Sequence, residues 1–339
     1  MSTIDQSQPI LIYLAAGVQG SAVVRAARRR GFKVRALVRD RRRASALSAL
    51  GVELVEGDIR DAASLRAASV GIAHAVLQIP IGAQEDMRIQ ADNAISASLA
   101  SGMTSVVLKL ASASRPAPCA EPSFVANAMV EDAIRASSLP FAIIRPTMYL
   151  DNLLKPSARK DIVERGIFAP PIAESQRIAW TSVDDCARAA VSLLERGITS
   201  GDHCIAGPES VDGNELVTRI SAGLGRRIAY RQQPLDAFER DVDAAMGPGT
   251  GRRVASKFRF FAWHPEEANE MLAEPFKPRA GLEDFQPTGI EEWVRQHRAQ
   301  FFDTDQAPSG RGRSAGSFNP NRPLSLLEEQ LGTASPPES

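Results

Sequence analysis

The first residues in this chain that could do chemistry are small ones. Ala15, Ala16, Gly17 and Gly20 follow the apolar run Ile10-Leu-Ile-Tyr-Leu14, and Val18 opens a helix-like segment. A strand that turns through small residues into a helix presents backbone N–H groups at the helix N-terminus, where they can bind phosphate. A side chain in that turn would obstruct the approach. Ala15, Gly17, Val18, Gln19 and Gly20 are therefore the expected contacts of a dinucleotide pyrophosphate. The usual glycine pattern is G-x-x-G-x-x-G, and Leu14 stands in place of its first glycine. The bland alternative is a turn with two incidental glycines.

Roughly 20 residues beyond such a turn, the end of the second strand reads the ribose. Here it carries Arg39, followed by Asp40-Arg41-Arg42-Arg43. An acidic residue would favour the 2′-hydroxyl of NAD, whereas arginine favours the 2′-phosphate of NADP. Arg39 and Arg43 point to NADP(H). Asp40 is read as a cap for the next helix, and the alternative for the whole run is a solvated charge cluster. Asp58 follows the third strand, at the place of an adenine-contacting carboxylate.

Polar groups then recur at strand ends, where ligands bind in open parallel sheets. Gln78 follows the fourth strand. Lys109, Ser112 and Ser114 end or follow the fifth, Asn127 lies in the next helix, and Tyr149 and Asn152 follow the sixth. Ser112, Asn127 and Tyr149 are the candidate catalytic residues. Ser112 would hydrogen-bond a substrate oxygen, and Asn127 would orient a carbonyl but cannot act as a charged acid. Tyr149 would serve as a phenolic donor or as an aromatic wall. Lys109 would reach the pocket or run to solvent. A tyrosine made acidic by a lysine four residues on could protonate an alkoxide. Four residues after Tyr13, Tyr149 and Tyr230 stand Gly17, Leu153 and Pro234, so this spacing excludes that dyad. The four histidines, His74, His203, His264 and His297, are dispersed, and no metal-ligand spacing occurs.

The elements needed to position these groups are visible as alternating strand-like and helix-like segments. Strands are expected at 10–14, 33–38, 52–55, 74–79, 105–110 and 141–144. Helices are expected at 18–30, 44–50, 84–100 and 125–137. This alternation implies an α/β fold with a doubly wound parallel sheet, the Rossmann architecture. Residues 1–146 form the expected nucleotide domain and 147–302 a smaller α+β substrate lobe. That lobe has helices at 184–195, 212–224, 234–245 and 287–302 and a short strand at 201–205. From 303 to 339 the chain turns to Ser, Gly, Pro, Arg and Asn, the composition of a disordered tail.

Composition narrows the classes. The 339 residues include 40 basic and 40 acidic side chains, for a net charge of +0. That balance argues against a general nucleic-acid binder. Hydrophobic residues make up 44%, enough for a substantial core. No apolar run approaches the roughly 20 residues of a membrane helix. Three widely spaced cysteines and a polar start suit a reducing, cytoplasmic setting.

Ala15-Ala-Gly-Val-Gln-Gly-Ser21, Val23-Val-Arg25 and Gly31-Phe-Lys-Val-Arg-Ala-Leu-Val-Arg-Asp40 resemble the NmrA-like family of atypical short-chain dehydrogenases. Gly57-Asp58, Glu131, Arg145-Pro146, Asn152 and Trp180-Thr-Ser-Val-Asp-Asp185 extend the resemblance over residues 8–300. It implies a Rossmann fold and NADP(H), and a family that mixes reductases with redox-sensing regulators. Two departures from its pattern are Leu14 and Asn127, the latter where reductase members often carry lysine. Ketone reduction makes an alkoxide that needs a proton donor, whereas a quinone or enone spreads the charge. The expected activity is therefore reduction of a quinone, enone or similar planar carbonyl compound, apolar or aromatic. The alternative is a non-catalytic NADP(H)-sensing regulator whose tail binds a protein partner. A non-redox isomerisation is a third reading.

Overall fold

The structure, a computed structural model, describes residues 4–5 and 7–303. The tail at 304–339, and with it the partner-binding segment expected there, lies outside the described residues.

Six short runs form the first strands: β1 (Ile10–Ile12), β2 (Val34–Val38), β3 (Glu53–Glu56), β4 (His74–Leu77), β5 (Ser105–Lys109) and β6 (Phe141–Pro146). The central ones are buried along their whole length, as expected for strands covered on both faces. The helices between them are α1 (Val18–Arg29), α2 (Ser45–Ser48), α3 (Ala62–Ser69), α4 (Gln84–Ala100) and α5 (Pro122–Ala136). Pro122 opens α5 at a position where a missing N–H costs nothing, and Glu121 caps it by accepting from Ser123 N at 3.2 Å.

After β6 come α6 (Pro156–Lys160), β7 (Ile167–Phe168), α7 (Val183–Glu195), β8 (Asp202–Ile205), α8 (Gly213–Leu224) and β9 (Ala229–Tyr230). The last helices are α9 (Leu235–Met246), α10 (Thr250–Trp263), α11 (Pro265–Leu272), α12 (Ile290–Gln296) and α13 (Arg298–Phe302).

Seven strands form one parallel sheet in the order β3-β2-β1-β4-β5-β6-β8. Strand order reverses between β1 and β4, so the carboxyl ends of these two strands flank the crevice where such sheets bind ligands. Helices α1 and α7 pack on one face, with Val23, Val24, Ala187 and Ala190 in a shared core. Helices α3, α4 and α5 cover the other. The sheet layers run past residue 146, the expected domain boundary. α7 and β8 belong to the sheet layers, because β8 pairs with β6 through Ile143↔Asp202 and Pro146↔Ile205. The remaining elements close around a separate core that includes Phe168, Trp180, Phe260, Phe261 and Trp293. Phe124 of α5 enters this core and meets Phe260 edge-on at 5.5 Å, so the lobe is packed onto the sheet.

Candidate functional site

The turn between β1 and α1 is built around a close approach. A Cβ on Gly20 would come within 2.1 Å of the Leu14 carbonyl oxygen, so only glycine lets α1 pack on the turn. Gly17 caps α1 with extended backbone, no side chain caps that helix, and its first turn holds no acid. The helix end is thus open to an anion. Leu14 adopts a left-handed backbone with φ of 51°, a conformation natural to the glycine it replaces. Ala15, Gly17 and Gly20 are buried, Gln19 is half-buried and Val18 is exposed.

Beneath this helix end lies a polar cluster inside the apolar core. Lys109, at the end of β5, is fully buried. Its Nζ donates to Tyr149 OH at 3.2 Å and to Gln19 Oε1. The Tyr149 hydroxyl donates to the same Gln19 oxygen at 3.2 Å. Parallel pairing of β5 with β6 places Lys109 opposite Ile144, and the chain beyond β6 then carries Tyr149 alongside. Burial lowers the Lys109 ammonium to about 8 against the pull of Cys186 and Asp151. Burial also raises the Tyr149 phenol well above its ordinary value and the Cys186 thiol to about 12. Tyr149 and Lys109 are therefore in contact without the four-residue spacing. The contact does not make an acidic tyrosine: the phenol is buried, and its proton is held more tightly than in water.

Ser112 and Asn127 also meet. The Asn127 amide donates to Ser112 Oγ at 3.0 Å and to the Ala113 carbonyl at 2.8 Å. Asn127 is 1% exposed and braces the β5–α5 loop from below. Gln78 is likewise buried and donates to the Tyr13 carbonyl at 3.0 Å, holding the end of β1. A cavity of about 600 Å³ opens beside the same loop, lined by Gln84, Pro118, Cys119, Val125, Phe260 and His264 among others. Neither Ser112, Asn127 nor Tyr149 lines it.

At the end of β2, Arg39 and Arg43 are exposed. Asp40 accepts from Arg42 N at 2.8 Å, the capping role expected of it, and lies 3.8 Å from Arg43. The Asp58 carboxylate is turned into its own loop, where it accepts from Arg60 N at 2.9 Å.

A family model, that of the NmrA-like family, matches residues 6–294. The chain belongs to the NmrA-like family. It is 27% identical over 304 residues to the NAD(P)H azoreductase of Xenophilus azovorans, covering 86% of this chain and 99% of that one. Its fold is similar to that of the Escherichia coli NADPH-dependent quinone oxidoreductase complexed with NADPH. There the TM-score is 0.69 and identity 20%, over 85% of this chain and 99% of the other. It is also similar in fold to NmrA, a negative transcriptional regulator in complex with NAD. That match has a TM-score of 0.66 and 17% identity, over 86% and 95% of the two chains.

Other residues of the NmrA-like pattern hold the scaffold. Glu131 accepts from Arg145 Nε at 2.6 Å and pairs with Arg135, which reaches Asp202 at 2.6 Å. This network ties α5, β6 and β8 together. Asp185, fully buried in the first turn of α7, accepts from Thr288 N at 3.0 Å and Thr288 Oγ1 at 2.9 Å. It fastens the segment before α12 to the sheet layer. The Lys109–Gln19–Tyr149 cluster was not legible as a unit. Its members lie 90 and 40 residues apart in sequence, and only the strand order of the sheet brings them together.

Proposed function

We propose that this protein is an NADPH-dependent reductase of small planar conjugated compounds, quinones, enones or azo compounds among them. The observation that carries the reading is the likeness to an NAD(P)H azoreductase along 99% of that enzyme's length. The residues present suit a dinucleotide. Ala15 to Gly17 are small, the start of α1 is uncapped and without acids, and Arg39 is exposed at the end of β2. The backbone of Gly17 to Gly20 would hold the pyrophosphate. Arg39, with Arg43 beside it, would hold a 2′-phosphate, and Asp58 would lie near the adenine. The bound nicotinamide would supply a hydride.

The chain's own groups favour acceptors that need little proton help. The Asn127 amide is committed to Ser112 and Ala113, and the Tyr149 phenol is buried and hard to ionise. Ser112, the remaining candidate, would orient a substrate oxygen. A delocalised anion formed from a quinone or azo compound can be protonated by solvent. Isolated ketones are therefore expected to be poor substrates.

The test is NADPH oxidation against a panel of quinones, azo dyes and isolated ketones. The expected outcome is turnover of the first two classes with little of the third. Cofactor choice is tested by Arg39→Ala. Losing a charge-assisted contact worth about 1.5–3 kcal/mol should weaken NADPH binding roughly ten- to a hundredfold and leave NADH binding nearly unchanged. Equal losses would overturn the 2′-phosphate assignment. A second reading, an NADP(H)-sensing regulator without turnover, is favoured by Leu14 at a glycine position and Asn127 at a lysine position. Tight binding without oxidation of the panel would select it.

A further inference from the structure

Lys109 is a buried amine that, among the described residues, touches no carboxylate. It is fully buried, and its amine meets only the neutral Gln19 amide and the Tyr149 hydroxyl. Among the described residues it forms no ion pair. Burying an ammonium in this way is costly unless a counter-charge is supplied. Among the described residues, the groups facing it supply only a carboxylate that does not touch it. From α1 comes Gln19; from α7 comes Cys186, whose thiol is pushed up to about 12 and stays neutral. From the segment after β6 come Tyr149, also neutral, and Asp151. The Asp151 carboxylate accepts from Val183 N at 2.9 Å, is itself raised by burial, and pulls on Lys109 without pairing with it. Helix α1 also points its positive end toward the same region.

A bound nucleotide is a second source of negative charge. Gln19 belongs to the first turn of α1, and the open end of that helix lies in front of it. We propose that Lys109 is the internal counter-charge for the dinucleotide: phosphates bound before α1 draw a proton onto its amine, so that cofactor affinity and Lys109 protonation are coupled. The inference rests on the dinucleotide reading above. It requires no direct contact, because charges interact strongly across a dry interior.

The sign follows from linkage. The free amine titrates at about 8, and a nearby anion raises that value. Binding near pH 8 therefore takes up a proton. Affinity is full below pH 8 and falls as pH climbs past it, by up to about tenfold per unit. The 2′-phosphate of NADPH, with its second pKa near 6, is already fully ionised there, so the cofactor itself contributes nothing to this dependence.

The experiment is calorimetric titration of the full chain with NADPH, at pH 8 in Tris and in HEPES. Buffers of different ionisation enthalpy reveal proton uptake. The expected uptake is about half a proton for the wild-type chain, with the dissociation constant rising tenfold or less per unit between pH 8 and 9.5. Lys109→Met should show no uptake and a flat dissociation constant over that range. Lys109→Gln, which keeps a polar group, should behave likewise and guards against a packing defect in the first variant. Thermal melting of both variants without ligand provides a readout independent of binding. Wild-type binding without uptake, or uptake that survives in both variants, would overturn the coupling and leave the dinucleotide reading intact. No binding of NADPH or NADH would overturn that reading itself, and this inference with it.

Discussion

Leu14 and Gly20 form one device at the residue scale. The Leu14 carbonyl sits where a side chain on Gly20 would have to go, and its own backbone is left-handed at φ 51°. Gly20→Ala must therefore push α1 away from the turn. A loss of about 1–3 kcal/mol in stability is expected from overpacking, read by thermal or denaturant unfolding, together with weakened nucleotide binding. An alanine variant as stable as the parent would mean that the turn can move. The glycines of this turn were legible from the sequence because their role is local. The Lys109 cluster was not, because a buried contact between strand ends leaves no spacing to read. The Tyr-x-x-x-Lys pattern assumes one helix, whereas here the two side chains come from β5 and the segment after β6.

Legibility at the scale of elements followed burial. Strands β1, β4 and β5 stand out as continuous apolar runs because helices cover both of their faces. Helix α3, with the sequence Ala-Ala-Ser-Leu-Arg-Ala-Ala-Ser, offers Leu65 as its one large apolar side chain, too little to mark a helical period. The two-residue strands β7 and β9 are too short to show any period. The place of β8 was equally hidden. Its residues read as a strand, but membership of the main sheet depends on the Glu131–Arg145–Asp202 network and on pairing with β6. Glu131→Gln should leave two arginines short of their buried partner. Breaking such a pair typically costs about 3–5 kcal/mol, and a loss near the lower end is expected because Asp202 still holds Arg145 at 3.0 Å. Urea unfolding measures it. A change under about 0.5 kcal/mol, the size of an ordinary surface substitution, would show that the network is dispensable.

The whole molecule carries an unusual set of desolvated bases, and their signs add up. Burial lowers His74 and His203 below 6.5. The folded state thus holds fewer protons than the unfolded chain below that pH, and stability is lost as pH falls. Burial lowers Lys155 from 10.5 to about 7, with Lys257 adding to the effect, and Lys109 to about 8. From those values up to 10.5 the unfolded chain binds more protons, so stability rises with pH. The opposing groups act later. Cys186 and Tyr13 are each raised by burial to about 12, from 9.0 and 10.0. Their contribution is lost only above pH 9, as the unfolded chain ionises them first. The cofactor-free protein should therefore be most stable on the alkaline side, near pH 9 rather than near neutrality. Its thermal midpoint should climb by several degrees between pH 6 and 9, since 1 kcal/mol corresponds to about 2–4 °C in a large domain. Lys109→Met removes one of the contributing groups. Its midpoint should exceed that of the parent at pH 7 and gain less on going to pH 9. Melting across a buffer series checks both, and a parent midpoint that peaks below pH 7 would contradict the lowered proton affinity of these two amines.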